Sequence, residues 1–394
     1  MKKRIYLDNA ATSFPKPECV VNAITDFCVN IGSNINRGSY GSAYCAEDVV
    51  YDTRKRLCKL FGGPKAKNVV FTSGITLSLN MVIKGLLSKG DHVIVSPMEH
   101  NAVMRPLTQL LENEIEFSRF KCDSCGYPMK SEPDDMSYLE ECLRPNTRAV
   151  ITTNASNVSG TVMPIKEIGR FCHEHNLIFI VDTAQTGGVL DIDMVRDFID
   201  VLCFTGHKGL MGPQGIGGFI VTDRIAKLMR PTVTGGTGSI SHLETTPDFM
   251  PDKFEPGTLN LPGIYGLHAA LEYIDEIGID KIAEKENRLS TLFVSQVKKI
   301  PGVRIIGHDN KCEYVSVVSI SCEGMDIAKA AYRLDEEYGI QTRVGMHCAP
   351  SAHQTIGTYP DGTLRFSFGY FTTEEEVLFA VSAMSEIMTD ITKH

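Results

Sequence analysis

Six short segments of this sequence carry residue types that could do chemistry, and most of them directly follow an apolar run. Lys208 stands in Cys203-Phe204-Thr205-Gly206-His207-Lys208-Gly209. An amine there can form an imine with a carbonyl only if its pKa falls, which burial beside other positive charge achieves. Asp182 closes the apolar stretch Leu177 to Val181. A half-buried carboxylate needs a cation, and a protonated ring nitrogen, a metal or a structural partner would each serve. Gln185, just beyond, could hydrogen-bond a ring hydroxyl. Phe71-Thr72-Ser73-Gly74-Ile75-Thr76 reads as a strand end, a glycine turn and a helix start. Free N–H groups and the helix dipole suit a phosphate there, with a Thr76 hydroxyl added, although a plain N-cap would look the same. Thr205 and His207 lie where they could reach that phosphate.

Three further candidates are single residues. His100 in Met98-Glu99-His100-Asn101 could stack on an aromatic ligand and move protons, or be structural. Cys348 lies in the glycine-containing loop Arg343-Val344-Gly345-Met346-His347-Cys348-Ala349-Pro350. The adjacent Arg343 and His347 would favour a thiolate nucleophile, and a small buried cysteine is the alternative. Arg365 interrupts the apolar run Thr363-Leu364-Arg365-Phe366-Ser367, so it requires an anion: a substrate carboxylate or a structural ion-pair partner.

These residues need elements to position them. Apolar runs at 68–72, 92–96, 149–153, 177–182, 201–205 and 218–221 alternate with helical patterns at 76–87 and 165–175. Such strands, covered on both faces, imply a largely parallel α/β sheet, and ligands bind beyond the carboxyl ends of its strands. Residues 231–262, rich in Gly, Thr and Pro, read as an active-site or interface loop. A long helix at 263–299, a strand at 314–320, a helix at 326–338, a strand at 363–368 and a helix from Thr373 read as a smaller α+β domain, with the N-terminal segment packed against it.

The bulk properties agree. The chain has 394 residues, which favours two domains. A net charge of −9 argues against nucleic acid or an anionic membrane as main partner. No apolar core follows the basic start, and no stretch is long enough to span a membrane, so a cytoplasmic protein is expected. The twelve cysteines are scattered. Cys122-Asp123-Ser124-Cys125 is the one CxxC, and its Asp-Ser-Cys-Gly composition reads as a turn rather than a metal site; no metal is expected.

Taken together, Tyr6 to Ser13, Asn36-Arg37-Gly38, Glu99-His100-Asn101, Ser156 to Gly160, Asp182 to Gln185, Gly206-His207-Lys208, Phe254 to Thr258 and Arg343 to Ala349 resemble the aminotransferase class V family of fold-type I pyridoxal phosphate enzymes. More narrowly they resemble cysteine desulfurases and selenocysteine lyases, of the short-loop, Suf-type group II pattern. That pattern often has His at Met346 and Thr at Ile75. The resemblance implies a large domain (15–262) with a mostly parallel seven-stranded sheet, and a small domain (1–14 and 263–394) carrying the cysteine loop. It implies that Lys208 holds pyridoxal phosphate as a Schiff base, Asp182 pairs the ring nitrogen, Gln185 the ring oxygen, and His100 covers the ring. Gly74, Ile75, Thr76, Thr205 and His207 would hold the phosphate, with Thr258 from a neighbouring subunit of a homodimer. Arg365 and Asn157 would hold the substrate carboxylate, with Asn9, Ala11 and Arg343 around them, and Asn157 would also touch the cofactor. Cys348 would take sulfur from L-cysteine, leaving alanine, and pass it to an acceptor protein, as in iron–sulfur cluster assembly. The alternatives are a selenocysteine lyase, which takes selenocysteine to alanine and selenide, or another class V aminotransferase-type pyridoxal phosphate enzyme.

Overall fold

A computed structural model describes residues 4–35, 38–132, 135–240, 242–309 and 312–391; Asn36 and Arg37 of the Asn-Arg-Gly match lie outside them. The described strands are β1 (Ile5–Tyr6), β2 (Val69–Thr72), β3 (His92–Val95), β4 (Glu116–Arg119), β5 (Thr147–Thr153), β6 (Ile178–Asp182), β7 (Val201–Thr205), β8 (Gly217–Val221), β9 (Val303–Ile306), β10 (Val317–Cys322), β11 (Ile340–Gln341), β12 (Arg343–Gly345) and β13 (Thr363–Ser367).

Seven of them form one sheet in the order β2-β8-β7-β6-β5-β3-β4. All its pairings are parallel except those of β8, which runs against β2 and β7. Every residue of β2, β3, β6, β7 and β8 is buried. That is why these strands read as unbroken apolar runs: helices cover both faces, and each fully buried Phe or Leu contributes roughly 1.5–3 kcal/mol. β4 was not foreseen, because Glu116-Phe117-Ser118-Arg119 is an exposed edge strand whose polar ends blunt further pairing.

The second sheet is antiparallel, in the order β12-β13-β10-β9. β1 pairs in parallel with β11, which ties the N-terminus to the C-terminal part of the chain. Ile5 and Leu7 accordingly share a core with Leu289, Phe293 and Phe366. The expected single helix at 263–299 is two, Leu261–Ile277 and Ile279–Val297. Gly278, at φ 87° and ψ 132°, turns the chain between them in a conformation that glycine alone adopts easily. The strand expected at 314–320 begins at Val317, since Tyr314 instead bridges Thr161. No described helix is long and apolar enough to cross a membrane.

Candidate active site

The parallel strands deliver their last residues to one edge of the large sheet. Asp182 ends β6, and Thr205 ends β7 and leads through Gly206 and His207 to Lys208. Asp182 is 2% exposed and accepts a hydrogen bond from the Ala184 N–H at 2.8 Å. Burial raises its carboxyl pKa, and the Ala184 N–H and the nearby Lys208 oppose that rise. Burial lowers the Lys208 ammonium to about 8; Arg365 and Arg343 push the same way, while Asp182 and Asp8 resist. Lys208 therefore lines a cleft with Asn9, Ala10, Ala184, Gln185 and Phe368. Gln185 Nε2 donates to the Ala10 carbonyl at 3.2 Å. Ala11 and Asn9 lie on the same turn, where Asn9 Nδ2 donates to the Ser367 carbonyl.

The helix Asn101–Leu110, α1 here, starts at His100. His100 Nδ1 accepts from the Ala102 N–H at 3.0 Å, so the other ring nitrogen carries the proton of the neutral ring. Burial, then Lys208 and Arg105, hold its pKa down to about 4. The imidazole is uncharged at neutral pH and available as a flat, polar face.

A second helix, α2 (Ile75–Leu86), begins at Gly74 without a side-chain cap. Its first N–H groups are thus left for a ligand. The turn is crowded on its sheet side: a Cβ on Gly217 would come within 2.8 Å of Gly74 Cα, so β8 must begin with glycine. Thr205 is buried beside the turn, its hydroxyl 4.0 Å from where a Gly74 Cβ would stand. His207 Nδ1 is buried without a partner. Burial, Lys208 and Lys16 lower the His207 pKa to about 4. The His207 carbonyl accepts from Thr12 Oγ1, the Ser13 N–H and Lys16 Nζ, which anchors the N-terminal turn over the site. Ile75 packs on the core beneath, and Thr76 is exposed at the helix start. Thr258 is exposed too; it lines a separate pocket with Phe71, Thr72 and Ser73, away from the Lys208 cleft.

The cysteine loop closes the other side. His347 and Cys348 have φ of 46° and 58°, a left-handed pair that turns the Cys348 side chain to the surface. Hydrogen bonds tie this loop to the rest of the site. The Cys348 carbonyl accepts from the Asn101 N–H at 2.8 Å. Asn157 Nδ2 donates to the His347 carbonyl at 2.7 Å. The Asn157 carbonyl in turn accepts from Arg365 at 2.9 Å. Arg365 also pairs with Asp8 at 2.8 Å, yet its buried Nε has no partner. Arg343 stands 3.9 Å from the same Asp8 carboxylate.

One expectation is corrected. His347 does not supply positive charge to Cys348. It is 6% exposed, its Nε2 lies 3.0 Å from Thr363 Oγ1, and burial and Arg365 hold its pKa far below the usual value. Of the two flanking groups, Arg343 alone is charged at neutral pH. Two residues escaped the sequence reading. Asp8 is the anion that Arg365 demanded, and the demand itself was the signal. Glu99 is fully buried, accepts from Ser96 and from the Thr153 N–H at 2.8 Å, and has its pKa raised by burial to about 8.

The donor set fits a particular ligand chemistry. An almost fully buried carboxylate opposite a partly neutral lysine suits a cationic ring nitrogen on a carbonyl-bearing ring. An uncapped helix start beside Thr205 and the unpartnered His207 nitrogen suits an anionic arm.

The fold is the fold-type I arrangement, and the chain belongs to the aminotransferase class-V family, whose sequence profile matches residues 5–379. Its relatives are narrower in kind. It is 31% identical over 392 residues to a protein of Methanothermobacter thermautotrophicus named "Probable cysteine desulfurase", covering 98% of this chain and 95% of that one. A Pyrococcus abyssi protein of the same name is 30% identical over 398 residues, with the same coverage. Among solved structures, the cysteine desulfurase of Thermococcus onnurineus NA1 superposes with a TM-score of 0.90 at 29% identity, covering 98% of this chain and 95% of that one. The cysteine desulfurase CsdA of Escherichia coli does so with 0.85 at 30% identity, covering 98% and 94%.

Proposed function

We propose that this protein is a pyridoxal phosphate-dependent cysteine desulfurase, which converts L-cysteine to L-alanine and places the sulfur on Cys348. The observation that carries the reading is the hydrogen-bonded path from the Cys348 loop through Asn157 to Arg365, together with the bond from Asn101 to Cys348. It couples an exposed thiol to the arginine and to the helix that presents His100, on the same cleft as Lys208.

Lys208 would hold the cofactor covalently, Asp182 would face its ring nitrogen, Gln185 its ring oxygen and His100 its face. Gly74, Ile75, Thr76, Thr205 and His207 would surround its phosphate. When bound, the cofactor supplies an electron sink for the bonds at the substrate α-carbon. The chain's residues do the rest. Arg365, whose Nε lacks a partner, binds the substrate carboxylate with Asn157, while Asn9, Ala11 and Arg343 border it. Lys208 Nζ takes the α-proton, a task that its lowered pKa suits. The Cys348 thiolate attacks the substrate sulfur. An S–S bond forms and the C–S bond breaks; the electron pair left on the β-carbon takes up a proton, and Lys208 Nζ returns a proton to the α-carbon, which gives alanine. The persulfide on Cys348 then passes to an acceptor protein.

The wider reading is a cytoplasmic homodimer in which Thr258 serves the neighbouring subunit's phosphate, in keeping with its exposure outside its own cleft. Residues 15–262 form the large domain, and 1–14 with 263–394 the small one, supported by the pairing of β1 with β11. Incubating the holoenzyme with L-cysteine tests the activity. Alanine and sulfur should appear in equal amounts. Pyruvate in place of alanine would contradict the reading. The same assay with L-selenocysteine, compared by kcat/KM, decides which chalcogen is preferred.

A further inference from the structure

The Cys122-Asp123-Ser124-Cys125 segment is a turn, as its composition suggested: the Asp123 carboxylate accepts from the N–H groups of Cys125 at 2.9 Å and Tyr127 at 3.0 Å. Gly126, at φ 82°, completes it, because a Cβ there would meet Met98 Cε at 2.5 Å. What the sequence did not reveal is the turn's neighbour. The loop after β9 brings Asp309 against it, from far along the chain. One thiol-bearing and two carboxylate-bearing side chains, Cys125, Asp123 and Asp309, place ligand atoms within 4.8 Å of one another. It is the single group of this kind among the described residues.

The place is built from both sides. The Cys125 carbonyl accepts from Thr161 Oγ1 at 2.5 Å, and Thr161 bridges Tyr314. The Tyr314 hydroxyl donates to Asp309 Oδ1 at 3.2 Å and accepts from the Asp309 N–H at 2.8 Å. Two further thiols converge here. Cys312 feels the charges of Asp309, Asp123 and Cys125, and Cys122 feels that of Cys312.

We propose that Asp123, Cys125 and Asp309 form a binding site for a borderline-soft divalent metal ion of the zinc class, clamping the 122–128 turn to the loop after β9. Mixed sulfur and oxygen ligands select this class over calcium or magnesium, which take oxygen alone. The site lies outside the groups assigned to desulfuration. Its role is structural: the ion bridges the loop that leads into β10 and the turn that follows β4.

The test titrates zinc into the fully reduced holoenzyme against a chromophoric chelator. It compares the parent with Cys125→Ser, Asp309→Asn and Cys348→Ala. The parent and Cys348→Ala should each bind one zinc per chain and melt at a higher temperature with it. Cys125→Ser and Asp309→Asn should each weaken zinc about tenfold or more, with cofactor absorbance and desulfurase rate unchanged. Asp309→Asn keeps the proposal testable should Cys125→Ser fold poorly. Zinc held equally well by both variants would overturn it. So would zinc lost in Cys348→Ala alone, which would place the ion at the reactive cysteine.

Discussion

Covalent capture of pyridoxal phosphate by the apoprotein should follow the titration of one amine. An ordinary lysine has a pKa of 10.5, and Lys208 is lowered to about 8 by burial, with Arg365 and Arg343 adding to the effect. At pH 7 that raises its neutral fraction roughly 300-fold, to about a tenth of the molecules. The capture rate should rise about tenfold per pH unit below 8 and level off above it. The assay mixes apoprotein with pyridoxal phosphate at a series of pH values, traps the product with borohydride and locates it by peptide mass. The causes can be separated as well. Arg365→Gln removes a cation that disfavours the ammonium, so the midpoint should move up; Asp182→Asn removes an anion that favours it, so the midpoint should move down. A rate still climbing past pH 9.5, or product on another lysine, would refute the reasoning.

Three other substitutions probe separate links. Arg365→Lys loses the fork that reaches Asn157 and Asp8; at about 1.5–3 kcal/mol per charged hydrogen bond, kcat/KM for cysteine should fall roughly ten- to a hundredfold, read from alanine formation. Glu99→Gln removes a carboxyl whose pKa rises from 4.5 to about 8 on folding, so the parent loses stability as pH climbs from about 5 towards 8 and the variant does not; urea midpoints at pH 5 and pH 9 check this, and equal differences at both would count against it. Gly278→Ala forces a side chain into φ 87° between two helices and should cost about 1–3 kcal/mol, seen as a lower urea midpoint with kcat/KM unchanged.

Much of this was legible because the physics is local. Strands buried on both faces must be apolar, so β2, β3 and β5 to β8 announced themselves, and the polar residues at their ends marked Asp182 and Lys208 as site candidates. β4 was silent because an edge strand needs no apolar face. The split at Gly278 was readable in hindsight from one glycine inside a helical pattern. His347 was misjudged because sequence proximity to Cys348 says nothing about burial, and burial decides its charge. Asp8 and Arg365 sit near opposite ends of the chain, and Asp309 and Cys125 are far apart along it; only tertiary folding brings each pair together. The relation between the Cys348 loop and Arg365 was expected from a resemblance, and it rests physically on Asn157, which bonds to both.

The central claim is that Cys348 receives the substrate's sulfur, and mass analysis of the intact holoenzyme after a single exposure to L-cysteine, with no acceptor or reductant present, tests it most directly. The account predicts one added sulfur atom per chain, located on the Cys348 peptide, matched by one alanine released, and absent from Cys348→Ala even though that variant still binds pyridoxal phosphate. Sulfur found on another cysteine, or full alanine production by Cys348→Ala, would contradict it.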